Sequence, residues 1–502
     1  MSEPFYITTA ISYPNGKPHI GHAYEAIAAD AIARFQRARG RDVRLVTGTD
    51  EHGLKMIQTA RREGRDTLEF ADEMSGYFRD MCAVLDVSYD AFVRTSEPRH
   101  HDASIAVWKA MEAAGDLYLD RYEGWYSVRD EAFYDEEELI EGEAGEKVSP
   151  QGTPVEWTKE ETWFFRLSKY QERLLDHYAA NPGFIQPESR RNEVMRFVEG
   201  GLKDLSVSRT SFDWGVPVPG SPGHVMYVWV DALTTYMTGV GFPDRGGDWA
   251  RYWPADVHLI GKDIVRFHAV YWPAFLMSAE LPIPKQVFAH GFLLARGEKM
   301  SKSLGNVVDP MDLAERFGVD ALRYFLLREV TFGQDGSYSA EAIVARVNAE
   351  LANSFGNLAQ RSLSMIFKNL AGIIPPAGEA DEDKALLQQV EHACATLSDE
   401  FERFSFSAGL EAWMTAVFAC NAYVDTTAPW ALKKTDPQRM AQVLGTLVAA
   451  IRMLTVAAAP IIPGSADKLL TLIDSGAGGT PIAQPQPIFP RLELPAEDEE
   501  AA

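Results

Sequence analysis

The first forty residues restrict the fold of this chain more than any other segment, because they predict a strand, a turn and a helix in immediate succession. The apolar, β-branched run Phe5 to Ile11 predicts the strand, and residues 15–18 carry the Asn, Gly and Pro of a turn. An Ala-rich stretch over residues 19–39 then has helical periodicity. A strand-like run at Val43 to Thr47 and helical runs at residues 54–63 and 67–85 continue this alternation to about residue 115, which is typical of a doubly wound parallel sheet in an α/β protein.

The predicted helix begins with the string His19-Ile20-Gly21-His22. A helix N-terminus presents unpaired backbone N–H groups and the positive end of the helix dipole, so it suits a polyphosphate. Two neutral imidazoles can add hydrogen bonds to phosphate, and Gly21 would let a flat base or a phosphate approach the backbone. Clusters of this kind also serve only for capping and packing, so this string alone leaves both interpretations open.

A second string, Lys299-Met300-Ser301-Lys302-Ser303, lies between the apolar segment Val287 to Leu294 and a helix-like segment that begins near Asp309. It places two ammonium groups in a short polar loop. In this order and at this separation, the two strings resemble the signature of class I aminoacyl-tRNA synthetases. The chemistry that the resemblance implies is attack on the α-phosphate of ATP.

The remaining sequence changes character at several points. Residues 116–221 are aromatic, turn-rich and locally acidic, as expected of an insertion with short antiparallel strands. Strand-like runs return at Val225 to Trp229, Val257 to Ile260 and Val287 to Ala289 and should complete the split sheet, with the ligand crevice at the carboxyl ends of its strands. Residues 345–475 are almost uniformly helical in period and predict a bundle.

Composition is that of a soluble globular protein. The 502 residues are 46% hydrophobic, enough for two to four compact units. No basic and apolar leader opens the chain and no apolar run reaches spanning length, so we expect a cytoplasmic protein without a membrane partner. Cys82, Cys394 and Cys420 have no paired spacing, which argues against disulfides and a four-thiolate metal site.

The formal net charge of −24 argues against a nucleic-acid partner. Acidic residues are concentrated in Asp130 to Glu146 and Glu497 to Glu500, however, so a local positive face on an acidic body is compatible with this charge. Five arginines could form that face or could be a solvated helix face and its following loop: Arg34, Arg37, Arg39, Arg41 and Arg44.

Six further stretches resemble methionyl-tRNA synthetases, and together they extend over nearly the whole chain. They are Ala10-Ile11-Ser12-Tyr13, Thr47-Gly48-Thr49-Asp50-Glu51-His52-Gly53, Tyr227-Val228-Trp229-Val230-Asp231-Ala232, Gly261-Lys262-Asp263-Ile264-Val265-Arg266-Phe267-His268, Asn357-Leu358-Ala359-Gln360-Arg361 and Ala428-Pro429-Trp430.

The resemblance implies six segments. They are residues 1–115, the first half of a Rossmann-like catalytic domain; 116–221, a connective insertion; 222–290, the second half of the catalytic domain; 291–344, the lysine loop and a stem-contact region; 345–475, a helical anticodon-binding domain; and 476–502, a Gly/Pro-rich acidic tail. We expect the tail to be loosely ordered, apart from a packed piece around Ile488 to Leu494.

The resemblance also implies a methionine pocket, in which Asp50 receives the substrate ammonium. Its other members wall the pocket or enclose the thioether: Ala10, Ile11, Tyr13, Trp229, Ala232, Tyr236, Ile264 and His268. Aromatic edges favour a sulfur atom modestly over a methylene. From the residues alone, Trp229 and Tyr236 could be ordinary core and Asp50 a turn or cap residue.

For ATP, the same resemblance places Gly21, Lys262, Asp263, Ser301 and Ser303 at the nucleotide, with Asp263 accepting from the ribose hydroxyls. Arg209 would hold pyrophosphate or the substrate carboxylate, with a structural ion pair as the alternative. The implied catalytic groups stabilise charge on the Mg²⁺-bound phosphates: His19, His22, Lys299 and Lys302. Methionyl-adenylate forms first, and methionine is then transferred to the 3′-terminal ribose of tRNA.

In the predicted bundle, Asn357 and Arg361 are four residues apart and hence share a helix face, and Trp430 follows Pro429 at a helix start. Methionyl-tRNA synthetases use this trio to read the CAU anticodon of initiator and elongator tRNA(Met), by stacking and by hydrogen bonds to base edges. A Trp buried in the bundle is the ordinary alternative.

The insertion departs from the family pattern. Many relatives have a zinc knuckle there, but Tyr118 to Asp176 contains no Cys or His, and Ser127 and Asp130 occupy ligand positions. We therefore expect no zinc, with packing of Trp125, Tyr126, Phe133 and Tyr134 in its place.

No C-terminal dimer-forming module is present, so a monomer is expected. Two rival functions remain at this stage: another nucleotidyltransferase that shares the first string, and a non-catalytic tRNA-binding paralogue. The helical bundle and the lysine string argue against the first, and the intact His and Lys residues of both strings argue against the second.

Overall fold

The computed structural model describes residues 2–127, 132–142, 145–295 and 308–494. The chain divides into two compact units. Unit 1 comprises Met1–Pro18, Gln36–Ala83 and Val87–His290, and unit 2 comprises His19–Phe35, Val84–Asp86 and Gly291–Ala502. The segment that carries the first signature string thus groups with the C-terminal half of the chain, whereas the sequence placed it with the first strands. The six predicted boundaries stay predictions.

A six-stranded parallel sheet forms the centre of unit 1, in the order β3-β2-β1-β13-β14-β9. Its strands are β1 (Pro4–Thr9), β2 (Asp42–Thr49), β3 (Ala91–Arg94), β9 (Ile185–Gln186), β13 (Val257–Gly261) and β14 (Val287–His290). The fully buried Ile7 pairs with Leu45 on one side and with Val257 on the other, so β1 is an inner strand, and it is buried on both faces. The predicted parallel sheet is confirmed.

Two details of the predicted sheet are wrong. Val225 to Trp229 does not add a strand to it, because only Val225–Met226 is extended and pairs elsewhere, and a helix begins at Val228. Conversely, the edge strand Ile185–Gln186 pairs with β14 although it lies in the segment assigned to the insertion.

Nine helices are described before residue 290. They are α1 (Ile20–Ala38), α2 (Leu54–Arg62), α3 (Thr67–Val84), α4 (Pro98–Ala113), α5 (Gln171–Ala180), α6 (Glu188–Glu199), α7 (Val228–Thr238), α8 (Gly247–Tyr252) and α9 (Trp272–Ser278). The first three agree closely with the predicted helices at residues 19–39, 54–63 and 67–85. The core of unit 1 includes the fully buried Trp108 and Trp272 together with Tyr236.

The insertion contains a four-stranded antiparallel sheet in the order β10-β8-β4-β5, as its sequence predicted. Its strands are β4 (Leu117–Ser127), β5 (Ala132–Tyr134), β8 (Glu156–Phe165) and β10 (Leu205–Ser206). Two short antiparallel pairs accompany it: β6 (Ile140–Glu141) with β7 (Lys147–Val148), and β11 (Ser208–Arg209) with β12 (Val225–Met226).

Aromatic packing and hydroxyl groups hold the tip of this insertion. Tyr126 and Tyr134 are buried, and the ring of Trp125 meets that of Trp157 edge to face with centroids 5.4 Å apart. Three buried hydroxyls form a chain: Ser127 Oγ lies 2.6 Å from Thr153 Oγ1, which lies 2.8 Å from Ser149 Oγ. The other predicted ligand position, Asp130, is outside the described residues.

Unit 2 contains the predicted helix bundle. Its helices after residue 308 are α10 (Pro310–Phe317), α11 (Val319–Glu329), α12 (Ala340–Arg346), α13 (Asn357–Asn369), α14 (Asp381–Glu402), α15 (Phe406–Thr427), α16 (Pro429–Thr435), α17 (Pro437–Ala458) and α18 (Pro463–Ser475). Strands β15 (Leu293–Ala295) and β16 (Gly336–Tyr338) pair in parallel. By length and composition α17 alone among the described helices could cross a membrane, but 61% of its apolar window is buried, as in a core helix of a bundle.

The described part of the tail, residues 476–494, is more ordered than its composition predicted. Ile482 and Phe489 are buried, and Asn348 makes two hydrogen bonds with the backbone of Leu492, at 2.8 and 2.9 Å. The packed piece expected around Ile488 to Leu494 is present, and packing begins earlier than expected. Apolar side chains in an otherwise polar tail therefore anchor it to the helices of its own unit.

The arginine cluster does not form an uncompensated positive face. Arg34 pairs with Asp30 and Asp86, and the other pairs are Arg37 with Asp90, Arg41 with Glu3 and Arg44 with Asp248, at 2.7–3.3 Å. Carboxylates thus pair with these four arginines, which favours the interpretation of a solvated helix face and its following loop.

Candidate active site

The first signature string caps α1. The Gly21 backbone N–H donates to His19 Nδ1 over 3.1 Å, and the His19 backbone N–H donates to His22 Nδ1, also over 3.1 Å. The two imidazole rings stack with centroids 3.8 Å apart. A Cβ added at Gly21 would lie 2.9 Å from the His19 ring, so a side chain at this position would displace the ring.

These contacts fix the tautomers of the two neutral imidazoles. Because each Nδ1 accepts a backbone hydrogen bond, the ring proton lies on Nε2 in both His19 and His22. The capping function considered from the sequence is therefore real. It also orients both rings as Nε2–H donors at the N-terminus of a helix, which is the arrangement that an anionic ligand requires.

The second signature string, with Lys299, Ser301, Lys302 and Ser303, lies outside the described residues. Its predicted role stays a prediction. The polypeptide is described again from residue 308, where the backbone carbonyl of Val308 accepts from the Ile20 N–H over 3.1 Å.

In unit 1, the carboxyl ends of β1, β2 and β13 bring several predicted residues to one edge of the sheet. The Asp50 N–H donates to the Ser12 carbonyl over 2.8 Å, and the Ala10 N–H donates to the Leu259 carbonyl over 2.9 Å. Ile11 lies between Ala10 and Ser12, which both take part in these hydrogen bonds. Asp50 is 8% exposed.

Two further predicted residues extend this edge. Tyr13 packs against the apolar cluster of Met56, Ala60, Phe70 and Met74. Lys262 and Asp263 form the 3₁₀ turn that directly follows β13, and they therefore lie at the same edge as the residues that end β1.

Trp229, Tyr236 and Ile264 each contact His268. The ring of Trp229 meets the ring of His268 edge to face at 5.9 Å, and Tyr236 Oη lies 2.6 Å from His268 Nε2. His268 Nδ1 lies 2.9 Å from the carbonyl of Ile264. Phe267, to which the sequence assigned no role, stacks on Trp229 with centroids 3.9 Å apart. We call these five residues the aromatic cluster.

The hydrogen bonds of the aromatic cluster have one consistent direction. Burial lowers the pKa of His268 to about 4, so the ring is neutral. Its Nδ1–H must donate to the Ile264 carbonyl, so Nε2 accepts the Tyr236 hydroxyl proton. His268 lies in a π-helical turn, Phe267–Tyr271, a distortion that is frequent at functional sites. The cluster thus satisfies its own polar groups and offers apolar ring surfaces.

Sequence reasoning missed a buried hydrogen-bonded network that joins Asp231 of α7 to two histidines. His52 Nδ1 lies 2.5 Å from Asp231 Oδ2, and His100 Nε2 lies 2.6 Å from Asp231 Oδ1. Burial raises the pKa of Asp231, but the two imidazoles outweigh it and hold that pKa well below its ordinary value. His52 and Asp231 lie within stretches that resemble the family, which was the only available signal, and no signal indicated His100.

Arg209 is buried between aromatic rings. Its guanidinium carbon lies 4.6 Å from the ring centre of Tyr227 and 5.3 Å from that of Tyr126, and Nη1 donates to Ser206 Oγ over 2.9 Å. The side chain is 2% exposed. A role toward pyrophosphate or carboxylate stays a prediction.

The predicted anticodon residues lie on the bundle of unit 2. Asn357 opens α13 and is exposed, and Arg361, one turn later, bonds Asn421 Oδ1 over 3.1 Å and pairs with Asp425. Trp430 is 53% exposed, which excludes the alternative of a buried bundle Trp. An exposed indole beside a proline is suited to stacking on an unpaired base.

A resident metal site is not evident in the part of the chain that the structure describes, where no three or more His, Cys, Asp or Glu side chains are grouped to hold an ion. The insertion supplies only hydroxyl oxygens at Ser127, Ser149 and Thr153, which are poor zinc ligands.

Comparison with known proteins assigns the whole chain to one family. The profile of tRNA synthetases class I (M) matches residues 5–363, and that of the anticodon binding domain of methionyl tRNA ligase matches residues 374–483. The methionine–tRNA ligase of Brucella suis is 58% identical, covering 97% of this chain and 98% of its own. That of Rhizobium meliloti is 57% identical, covering 98% and 99%.

Solved structures agree in sequence and in fold. A Mycobacterium tuberculosis methionyl-tRNA synthetase in complex with methionyl-adenylate has a TM-score of 0.94 and 53% identity, covering 97% of this chain and all of its own. The apo form of a synthetase from the same organism has a TM-score of 0.88 and 50% identity, covering 99% of each chain. Because the two family profiles and these relatives together match nearly the full length, this chain belongs to the methionyl-tRNA synthetases of class I.

Proposed function

We propose that this chain is a methionine–tRNA ligase. The methionine carboxylate attacks the α-phosphate of ATP, the bond to the β-phosphate oxygen breaks, and methionyl-adenylate forms with release of pyrophosphate. A hydroxyl of the 3′-terminal ribose of tRNA(Met) then attacks the methionyl carbonyl and AMP leaves. The curated relatives that are 57–58% identical carry this activity in their names.

The aromatic cluster is the observation that carries the choice of methionine. The Tyr236 hydroxyl proton is donated to His268, and the His268 ring proton is donated to the Ile264 carbonyl. A polar substrate side chain therefore cannot accept a hydrogen bond from either proton. A flexible, polarisable thioether instead gains from contact with the rings of Trp229 and Tyr236. Ala10, Ile11, Tyr13 and Ala232 complete the pocket in this proposal, and Asp50 binds the substrate ammonium.

Catalysis in this proposal consists of positioning and charge stabilisation, with ATP entering as its Mg²⁺ complex. His19 and His22 donate their Nε2–H groups to phosphate oxygens, since backbone hydrogen bonds have fixed both tautomers. Asp263 accepts from the ribose. The other groups supply positive charge or hydrogen bonds to the nucleotide, pyrophosphate or substrate carboxylate: Lys262, Arg209, Lys299, Ser301, Lys302 and Ser303.

The bundle supplies tRNA recognition. Trp430 stacks on an anticodon base, and Asn357 and Arg361 bond base edges of the initiator and elongator tRNAs. The exposure of Trp430 and the match to an anticodon-binding profile support this assignment. We further expect a cytoplasmic monomer without zinc.

ATP–pyrophosphate exchange with each of the twenty amino acids tests the first half-reaction. Exchange with methionine alone is expected. Exchange with a different amino acid would overturn the pocket assignment, and no exchange with any would leave a tRNA-binding paralogue as the better description.

Lys302→Ala tests the catalytic assignment separately. Loss of one charge partner of the transition state should lower adenylation at least about 100-fold while methionine binding stays nearly intact. An unchanged exchange rate would refute the role of Lys302. The wild-type chain and a Lys384→Ala variant on α14 are the controls.

A further inference from the structure

The segment that carries Asp50 has no regular secondary structure, so side chains fix its position. Its first anchor follows Asp50 directly. The buried Glu51 carboxylate accepts two hydrogen bonds from Arg94, at 2.7 and 2.9 Å, and one from Thr49 over 2.7 Å. The Glu51 N–H donates to Thr95 Oγ1 over 2.8 Å. These contacts tie the residue after Asp50 to the end of β3.

The second anchor is His52, which is 3% exposed. Its Nδ1 lies 2.5 Å from Asp231 Oδ2, and its ring packs edge to face against Trp214 with centroids 5.5 Å apart. The Trp214 indole N–H donates to the Glu51 carbonyl over 2.5 Å. Asp231 is the only acidic residue of α7, and the His52 imidazole connects it to the segment that carries Asp50.

A second imidazole holds Asp231 from the other side. His100 Nε2 lies 2.6 Å from Asp231 Oδ1, and His100 Nδ1 lies 2.9 Å from Thr238 Oγ1. Asp231 and Thr238 are seven residues apart and share a face of α7, so His100 contacts that face at two residues. Trp229, Ala232 and Tyr236 lie at i, i+3 and i+7 and share another face, which carries the proposed methionine pocket.

We propose that Asp231 is a positioning residue for methionine. Through His52 and His100, it fixes the position of the segment that carries Asp50, which binds the ammonium, relative to the face of α7 that encloses the thioether. This inference rests on the proposed function. Asp231 does not touch the substrate. It acts because its carboxylate accepts hydrogen bonds from two imidazoles, His52 in the segment after β2 and His100 on α4.

The distance between ammonium and thioether is a fixed property of methionine. A pocket that binds both ends therefore loses affinity when its two halves shift relative to each other. ATP binding does not depend on the spacing between the ammonium and thioether sites. The proposal consequently predicts an effect on the KM for methionine that the KM for ATP does not share.

The decisive variant is Asp231→Asn, assayed by methionine-dependent ATP–pyrophosphate exchange in the full chain. An amide turns one acceptor into a donor that opposes an imidazole N–H. The KM for methionine should rise at least about 10-fold, a factor that corresponds to about 1.4 kcal/mol, with the KM for ATP changed less than about twofold. Asp116→Asn is the matched control, because Asp116 is equally buried in unit 1 and accepts from Lys169 and Ser278.

Rescue by conservative variants separates positioning from simple loss of packing. Asn has an amide N–H near the position of histidine Nδ1, and Gln has one near the position of Nε2. His52→Asn and His100→Gln should therefore keep the KM for methionine within about threefold of wild type, whereas His52→Leu and His100→Leu should raise it as Asp231→Asn does.

The outcomes are distinct. An Asp231→Asn enzyme with the wild-type KM for methionine, or an Asp116→Asn enzyme with the same increase, would overturn the proposal. If Asp231→Asn does not fold, the His52 variants decide: equal KM values for Asn and Leu would overturn it. A wild-type chain without methionine-dependent exchange would refute the proposed function instead.

Discussion

Replacing Arg323 by Met should destabilise unit 2 severely. The Arg323 and Asp30 side chains are both fully buried, and Nη2 lies 2.6 Å from Asp30 Oδ2. The same guanidinium donates to four backbone carbonyls, those of Leu85, Asp86, Pro460 and Ile461, at 3.0–3.3 Å. One side chain on α11 thereby holds α1, the turn after α3 and the loop before α18.

The magnitude follows from what the substitution leaves behind. Methionine retains only the aliphatic part of the arginine side chain, so the Asp30 carboxylate and the four carbonyls lose the donors that Arg323 supplied. Removing one partner of a buried ion pair costs about 3–5 kcal/mol. For a unit of this size each kcal/mol lowers the melting temperature by about 2–4 °C, so a decrease of about 6–20 °C is expected.

Arg34→Met is the matched control. Arg34 also pairs with Asp30, at 2.7 Å, but its side chain is 23% exposed and Asp30 keeps Arg323. Loss of this partly solvated pair should cost no more than about 1 kcal/mol. Thermal unfolding followed by circular dichroism compares the variants, and hydrogen exchange of α1 and α11 locates the effect. Equal melting temperatures for the two variants would refute the reasoning.

Three further predictions concern the insertion and the bundle. Elemental analysis should find no stoichiometric zinc, because Ser127, Ser149 and Thr153 supply only hydroxyl oxygens; one tightly held zinc per chain would contradict this. Trp430→Ala should leave ATP–pyrophosphate exchange unchanged but lower kcat/KM for tRNA(Met) charging about 5- to 150-fold, the equivalent of one lost stacking contact of about 1–3 kcal/mol; unchanged charging would refute the stacking role. Burial raises the pKa of Asp383, but Arg439 outweighs burial and holds that pKa below its ordinary value. The ionised Asp383 carboxylate therefore stabilises the folded chain at neutral pH, and this contribution is lost as the pH falls below about 4. Acid titration of unfolding should show a weaker pH dependence for Asp383→Asn, and an unchanged dependence would exclude this pair.

Local patterns in the sequence predicted most of the fold. The strand, turn and helix of the first forty residues are present, and the alternation of apolar runs gave the parallel sheet. The error at Val225 to Trp229 has a physical cause: its β-branched and aromatic residues have high strand propensity, yet Val228 and Val230 are buried on a helix. Burial on all sides removes the periodicity by which a helix is distinguished from a strand.

Long-range polar contacts could not be predicted from a single sequence. Asp231 lies 179 residues from His52 and 131 from His100, and no local pattern marks either partner. The family resemblance named the residues that would touch substrate, such as Asp50 and Trp229, but not the groups that hold them. Fixing the histidine tautomers likewise required coordinates, because it depends on which backbone groups face each ring nitrogen.

The charge of the chain illustrates the same distinction between composition and placement. A net charge of −24 predicts poor affinity for RNA, and the arginines of α1 and β2 do not offset it because carboxylates pair with them. On α16, by contrast, Lys433 and Lys434 are exposed one turn after the exposed Trp430. A stacking surface with adjacent positive charge is what a single-stranded RNA loop requires, and it needs only a few residues. The acidic body then restricts RNA contacts to such sites, so under the proposed function net charge favours selectivity over general affinity.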